Sequence, residues 1–95
     1  MKGVVVVPTY NERENIEELI EKTLSTSPDI DILIVDDNSP DGTGEIAEKI
    51  AKENPRVKVL HRPGKMGLGS AYVEGFKWAL KKGYDFIMEM DADFS

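Results

Sequence analysis

Val4-Val5-Val6-Val7 is an unbroken run of β-branched residues closed by Pro8. Apolar side chains on both sides of a strand's alternation need cover on both faces, the environment of a parallel sheet with helices above and below it. A central strand stopping at Pro8 is therefore expected. Three further strands are expected, over Ile30 to Val35, Val57 to Leu60 and Phe86 to Met90. Between them apolar residues recur at helical spacing: Ile16, Leu19, Ile20 and Leu24, then Ile46, Ala47, Ile50 and Ala51, then Tyr72, Phe76, Ala79 and Leu80. Asn11 with Glu14 three residues later reads as an Asn-headed capping box opening the first helix, which ends near Ser25 to Pro28. Thr43 is expected to cap the second, closed by Asn54-Pro55. Lys81 and Lys82 complement the dipole at the end of the third, before Gly83. The order βαβαβαβ predicts an α/β, Rossmann-like domain with a mostly parallel sheet and right-handed crossovers. No Pro-, Gly- or Ser-rich linker divides residues 1–95, so one domain is expected.

Charge narrows the ligand classes. Twelve Lys and Arg against eighteen Asp and Glu leave a net charge of −6, the wrong sign for a general nucleic-acid binder, and no nucleic-acid partner is expected. With no cysteine and His61 the single histidine, disulfide frameworks, thiolate zinc sites and thiol nucleophiles are excluded. Any metal chemistry falls to oxygen ligands. The apolar runs fall far short of the roughly 18 residues of a transmembrane helix, and no signal peptide opens the sequence, so a cytoplasmic location is expected.

Ligands of open parallel sheets bind outside the carboxyl ends of the strands. Those ends carry Thr9 to Glu12, Asp36-Asp37, the glycine-rich stretch Arg62 to Gly69, and Asp91-Ala92-Asp93. The opposite ends carry Lys2-Gly3, Asp29 to Asp31, Arg56 and Gly83 to Asp85, which read as turns and caps. Asp91 and Asp93, at i and i+2 of an extended chain, point to one side and can share a divalent cation such as Mg2+ or Mn2+, which then attracts a diphosphate. The same residues also fit a solvated acidic strand end. Asp36-Asp37 reads either as a loop exit or as a carboxylate accepting hydrogen bonds from a nucleobase, at most one of the two facing the crevice. Pro8 to Glu12 reads as a strand stop and helix cap, or as an aromatic face, a carboxylate and free helix-start N–H groups offered to a nucleotide. The glycine stretch fits neither the Walker order nor G-x-G-x-x-G, since Tyr72 takes the place of the third glycine. Lys65 within it can neutralise a diphosphate, while its glycines equally serve to turn a strand into a helix. His61 has no partner identifiable from spacing and reads as a strand-end residue.

Taken in order, VVVVPTYNERENI, IVDDNSPDGT, RPGKMGLGSAY and MDADFS resemble the opening of a family 2 glycosyltransferase of the GT-A fold, most closely the dolichyl- or polyprenyl-phosphate mannose synthases. The resemblance spans essentially the whole sequence. It implies that Pro8, Tyr10 and Glu12 lie along the nucleotide, that Val35 and Asp37 contact the guanosine of GDP-mannose, and that Asp91, Ala92 and Asp93 hold the metal and diphosphate. The implied reaction moves mannose from GDP-mannose to a polyprenyl phosphate with inversion. No base on the protein is needed, because a phosphate oxygen is already anionic at neutral pH. Enzymes of this kind continue well beyond the DAD motif, through segments that supply basic residues for the acceptor phosphate and a surface that meets the membrane. The 95 residues are thus expected to be the nucleotide-sugar half of a longer catalytic domain at the cytoplasmic face of a membrane, inactive alone. Two rivals stand beside this reading. One is a phosphoacceptor receiver module, which also sets an acidic pair after a buried strand; the other is a nucleotide-binding fragment without catalysis.

Overall fold

A computed structural model describes residues 1–64 and 67–92. Its elements are β1 (Gly3–Thr9), α1 (Ile16–Ser25), β2 (Ile30–Asp36), α2 (Thr43–Glu53), β3 (Val57–His61), α3 (Leu68–Lys82) and β4 (Phe86–Glu89). The strands form one sheet, every pair parallel, in the order β3-β2-β1-β4. The valine run is the middle of that sheet. Val5 and Val7 face a core shared with Ile16, Leu19 and Ile20 of α1 and Ala47 of α2. Val4 and Val6 face the other way, onto Ala71 and Ala79 of α3. The result is three layers, with α1 and α2 on one side of the sheet and α3 on the other.

Three local expectations are corrected. Pro8 does not stop β1; it lies inside it, opposite Val35. The carbonyl of Val6 accepts from Met90 N–H at 3.1 Å, on the β4 side, and that of Thr9 from Asp37 N–H at 3.1 Å, on the β2 side. By alternation the Pro8 nitrogen faces β4, whose pairing with β1 ends at Val6 and Glu89, so the missing donor costs no ladder bond. Asn11 is not a helix cap: it adopts φ 57, the left-handed region, and α1 begins only at Ile16. Leu80 does not join the apolar face of α3 and is 69% exposed.

Gly75 explains the last of these. A Cβ there would lie 2.4 Å from Val6 Cγ1, so α3 approaches the sheet at that residue more closely than any side chain permits. Leu80, five residues on, lies about 140° around the helix from this contact. Gly75→Ala is expected to cost about 1–3 kcal/mol through overpacking, measured as a fall in urea midpoint with an unchanged slope.

The amino ends of the strands are fastened as turns and caps. The Arg56 guanidinium donates to the carbonyls of Leu24 at 3.1 Å and Ile30 at 2.7 Å, and also to that of Ser27. Buried Asp31 accepts the Tyr84 hydroxyl at 2.6 Å and pairs with Lys2 Nζ at 3.2 Å. Burial, reinforced by the Asp31 carboxylate, holds the Tyr84 phenol well above its ordinary pKa, so it stays a donor.

Candidate active site

The strand order dictates where a crevice opens. From β1 the chain steps outward through β2 to β3, then returns across the opposite face in α3 to place β4 on the far side of β1. The helix that leaves β1 and the helix that leads into β4 cover opposite faces of the sheet, and such a switch point is where open α/β sheets bind ligands. The segments at that edge are Tyr10 to Arg13 after β1, Asp37 to Gly42 after β2, Arg62 after β3, and Asp91-Ala92 after β4.

The first two of these segments are bound to each other. Asn11 N–H donates to Ser39 Oγ at 3.0 Å, Glu12 N–H to Thr43 Oγ1 at 2.9 Å, and Arg13 N–H to Asp41 Oδ2 at 3.1 Å. These N–H groups are therefore taken up within the protein rather than offered to a nucleotide. Thr43 is not the cap expected of it. Gly42, at φ 93, takes that position, while the Thr43 hydroxyl donates to Asp41 Oδ1 at 2.5 Å and accepts from Glu12. Desolvation pushes the Asp41 carboxyl up, but hydrogen bonds from Thr43 and Arg13 and the Arg13 charge outweigh it, leaving the group below the usual carboxylate range. Tyr10 remains partly exposed at this edge, and Glu12 Oε2 accepts from Asn15 Nδ2 at 3.2 Å.

The two acids after β2 have separate surroundings. Asp36 is fully buried and accepts Thr9 Oγ1 at 2.7 Å, Ser39 Oγ at 2.6 Å and Ser39 N–H at 3.0 Å. Gly44 makes room for it, since a Cβ there would stand 2.8 Å from Asp36 Oδ2. This carboxylate joins the carboxyl ends of β1 and β2. Asp37 is held by Arg62 in a two-point pair, Nε to Oδ1 at 2.7 Å and Nη2 to Oδ2 at 2.9 Å. The Arg62 side chain is 1% exposed and also donates to Ser70 Oγ at 2.9 Å, with Glu74 3.4 Å away. Its hydrogen bonds to Asp37, opposed by burial and aided by the charges of Asp37 and Glu74, raise its already high pKa. Arg62 is the site residue that sequence reasoning missed, read only as part of the glycine stretch. An arginine directly after the third strand, at the same carboxyl edge as the acidic pair, was the available signal.

Asp91 Oδ1 accepts the Tyr72 hydroxyl from α3 at 2.8 Å. The neighbouring Ala92 methyl is buried in the core beneath α1, and the Val35 side chain is fully buried on the α3 side. Any ligand contact by these two residues runs through their backbones. Lys65 and Asp93 lie outside the described residues. Among the described residues no group of three or more His, Asp or Glu is gathered to hold a metal ion. Asp91 nevertheless fits a hard cation by donor type, being a carboxylate braced at the crevice edge with a second aspartate two positions on in sequence. Among the described residues, no helix is long and apolar enough to cross a membrane.

Comparison with known proteins agrees with this architecture. The chain is 50% identical over 95 residues to a polyprenol monophosphomannose synthase of Mycolicibacterium smegmatis, covering 99% of this chain and 36% of that protein. It is also 50% identical to an undecaprenyl-phosphate mannosyltransferase of Micrococcus luteus, covering all of this chain and 39% of that protein. It thus spans little more than a third of the length of these relatives. Among solved structures, the mannosyltransferase PcManGT of Pyrobaculum calidifontis, in complex with GDP-Man and Mn2+, superposes with a TM-score of 0.77 at 26% identity, covering 97% of this chain and 27% of that one. TarS of S. aureus gives 0.76 at 31% identity, covering 98% and 28%. The fold is that of GT-A glycosyltransferases, and the receiver alternative falls away. Residues 4–95 match the glycosyl transferase family 2 domain, and the chain belongs to that family.

Proposed function

We propose that this chain is the donor-binding part of a mannosyltransferase that moves mannose from GDP-mannose to a polyprenyl monophosphate. The observation that carries the reading is the braced Asp91 carboxylate at the switch-point edge, beside two loops already fastened to each other. The names of the relatives at 50% identity supply the sugar and the acceptor class. In the reaction the bond from the mannose anomeric carbon to the diphosphate breaks, a bond to an acceptor phosphate oxygen forms on the opposite face, and GDP leaves. When bound, Mg2+ or Mn2+ held by Asp91 and Asp93 supplies stabilisation of the charge developing on the departing diphosphate. Tyr10 presents its ring to the nucleoside from the edge of β1, with Pro8 and Glu12 along the same turn. Asp37 accepts from the guanine ring, while Arg62 fixes its orientation, and the Val35 backbone lies beside the base. Ala92 meets the nucleotide through its backbone, and Lys65 neutralises part of the diphosphate. The acceptor is met at a membrane surface by regions outside these 95 residues, with the full-length protein at its cytoplasmic face.

The test is transfer of labelled mannose from GDP-mannose to a short polyprenyl monophosphate by the full-length protein, with manganese present. The expected product is a polyprenyl phosphate carrying mannose in inverted configuration. Transfer from another donor only, or a product of retained configuration, would contradict the proposal.

A further inference from the structure

Tyr72 was expected to be part of the apolar stripe of α3. It is half-buried against Phe76, the ring centroids 6.2 Å apart, yet its hydroxyl does not run out into solvent. It donates to Asp91 Oδ1 at 2.8 Å, a contact across nineteen residues that ties α3 to the segment after β4. Gly75, one turn further along, holds α3 against Val6, so the phenol projects from a helix whose distance to the sheet is fixed. A hydroxyl donor at one oxygen removes the free rotation of a carboxylate. Groups that orient a metal's ligands in this way commonly govern metal affinity by about 10–100-fold.

We propose that Tyr72 is a positioning residue for the metal and diphosphate site, setting the rotation of the Asp91 carboxylate. The inference rests on the reading of Asp91 as a metal ligand and adds to it a residue from a different element. It also gives α3 a part in the donor site that does not depend on the glycine stretch before it.

The experiment measures Mn2+ binding to the protein with GDP present, by the loss of the free-ion electron paramagnetic resonance signal. Three variants are compared: Tyr72→Phe, Phe76→Leu and Asp91→Asn. Tyr72→Phe keeps the ring and removes the donor, and is expected to weaken Mn2+ binding by about tenfold or more, with the circular dichroism spectrum unchanged. Phe76→Leu disturbs the same packing without touching the hydrogen bond and is expected to leave Mn2+ affinity within about twofold of wild type. Unaltered Mn2+ affinity in Tyr72→Phe, with binding lost in Asp91→Asn, would overturn the positioning role alone. Equal weakening by Phe76→Leu and Tyr72→Phe would assign the effect to packing and overturn it too. Retention of binding in Asp91→Asn would remove the metal-ligand reading, and this proposal with it.

Discussion

Asp91→Asn is expected to lower mannose transfer by about 100- to 1,000-fold, the usual cost of removing one preorganised group that stabilises charge in a transition state. Asparagine keeps the shape of the side chain and can still accept the Tyr72 hydroxyl, so the variant deletes charge while sparing the contact that orients it. Loss should appear as much in metal-dependent donor binding as in turnover, because the variant removes one of the two carboxylates proposed to hold the cation that attracts the diphosphate. Asp36→Asn makes the contrast. Asp36 is also an aspartate on the same edge, but its carboxylate's described hydrogen bonds are internal, to Thr9 and Ser39. Its replacement is expected to lower stability and leave the manganese dependence of donor binding unchanged. Calorimetric titration of donor into each variant, with and without Mn2+, checks both statements.

Arg62→Met carries the largest expected effect on stability. The guanidinium is the buried two-point counter-charge of Asp37, and its loss takes that charge away from a carboxylate only 5% exposed. Breaking a buried pair from one side costs about 3–5 kcal/mol, a large part of what a domain of this size has to lose. Removing both charges is expected to cost less, because neither member of the pair is then left charged and buried opposite an apolar group. The double variant Arg62→Met with Asp37→Leu should therefore recover most of the lost stability. It should not recover donor discrimination, since Asp37 is assigned to the base. Urea denaturation of the two single variants and the double variant measures the first part. A cost below about 1 kcal/mol for Arg62→Met would contradict the role given to the pair.

The layers of the fold were legible in the sequence because they depend on local pattern. Val4 to Val7 could only be covered on both faces, and the spacings Ile16-Leu19-Ile20 and Ala47-Ile50-Ala51 could only be stripes facing the sheet. The carboxyl-edge grouping of Asp36, Asp37 and Asp91 followed from the same alternation. What escaped was set by contacts distant in sequence. Asn11 looked like a helix cap, but the turn it begins is held by Ser39 and Thr43, 28 and 31 residues away from their partners. Thr43 looked like a cap and became the acceptor in one of those bonds. Arg62 and Asp37 lie 25 residues apart, and they meet only because β3 pairs beside β2, which no local pattern dictates. Leu80 fitted the stripe by spacing alone. Its exposure follows from Gly75, whose close approach to Val6 fixes which side of α3 meets the sheet. The expected roles of Lys65 and Asp93 fall outside the described residues.

The central claim is that the carboxyl edge of this sheet is a metal-assisted GDP-mannose site. Isothermal titration calorimetry of the protein with GDP-mannose and with UDP-glucose, each with and without Mn2+, tests it most directly. Binding of GDP-mannose that requires Mn2+, with UDP-glucose at least tenfold weaker, about 1.4 kcal/mol, is the predicted result. GDP-mannose binding that is indifferent to the metal, or equal affinity for the two donors, would contradict it.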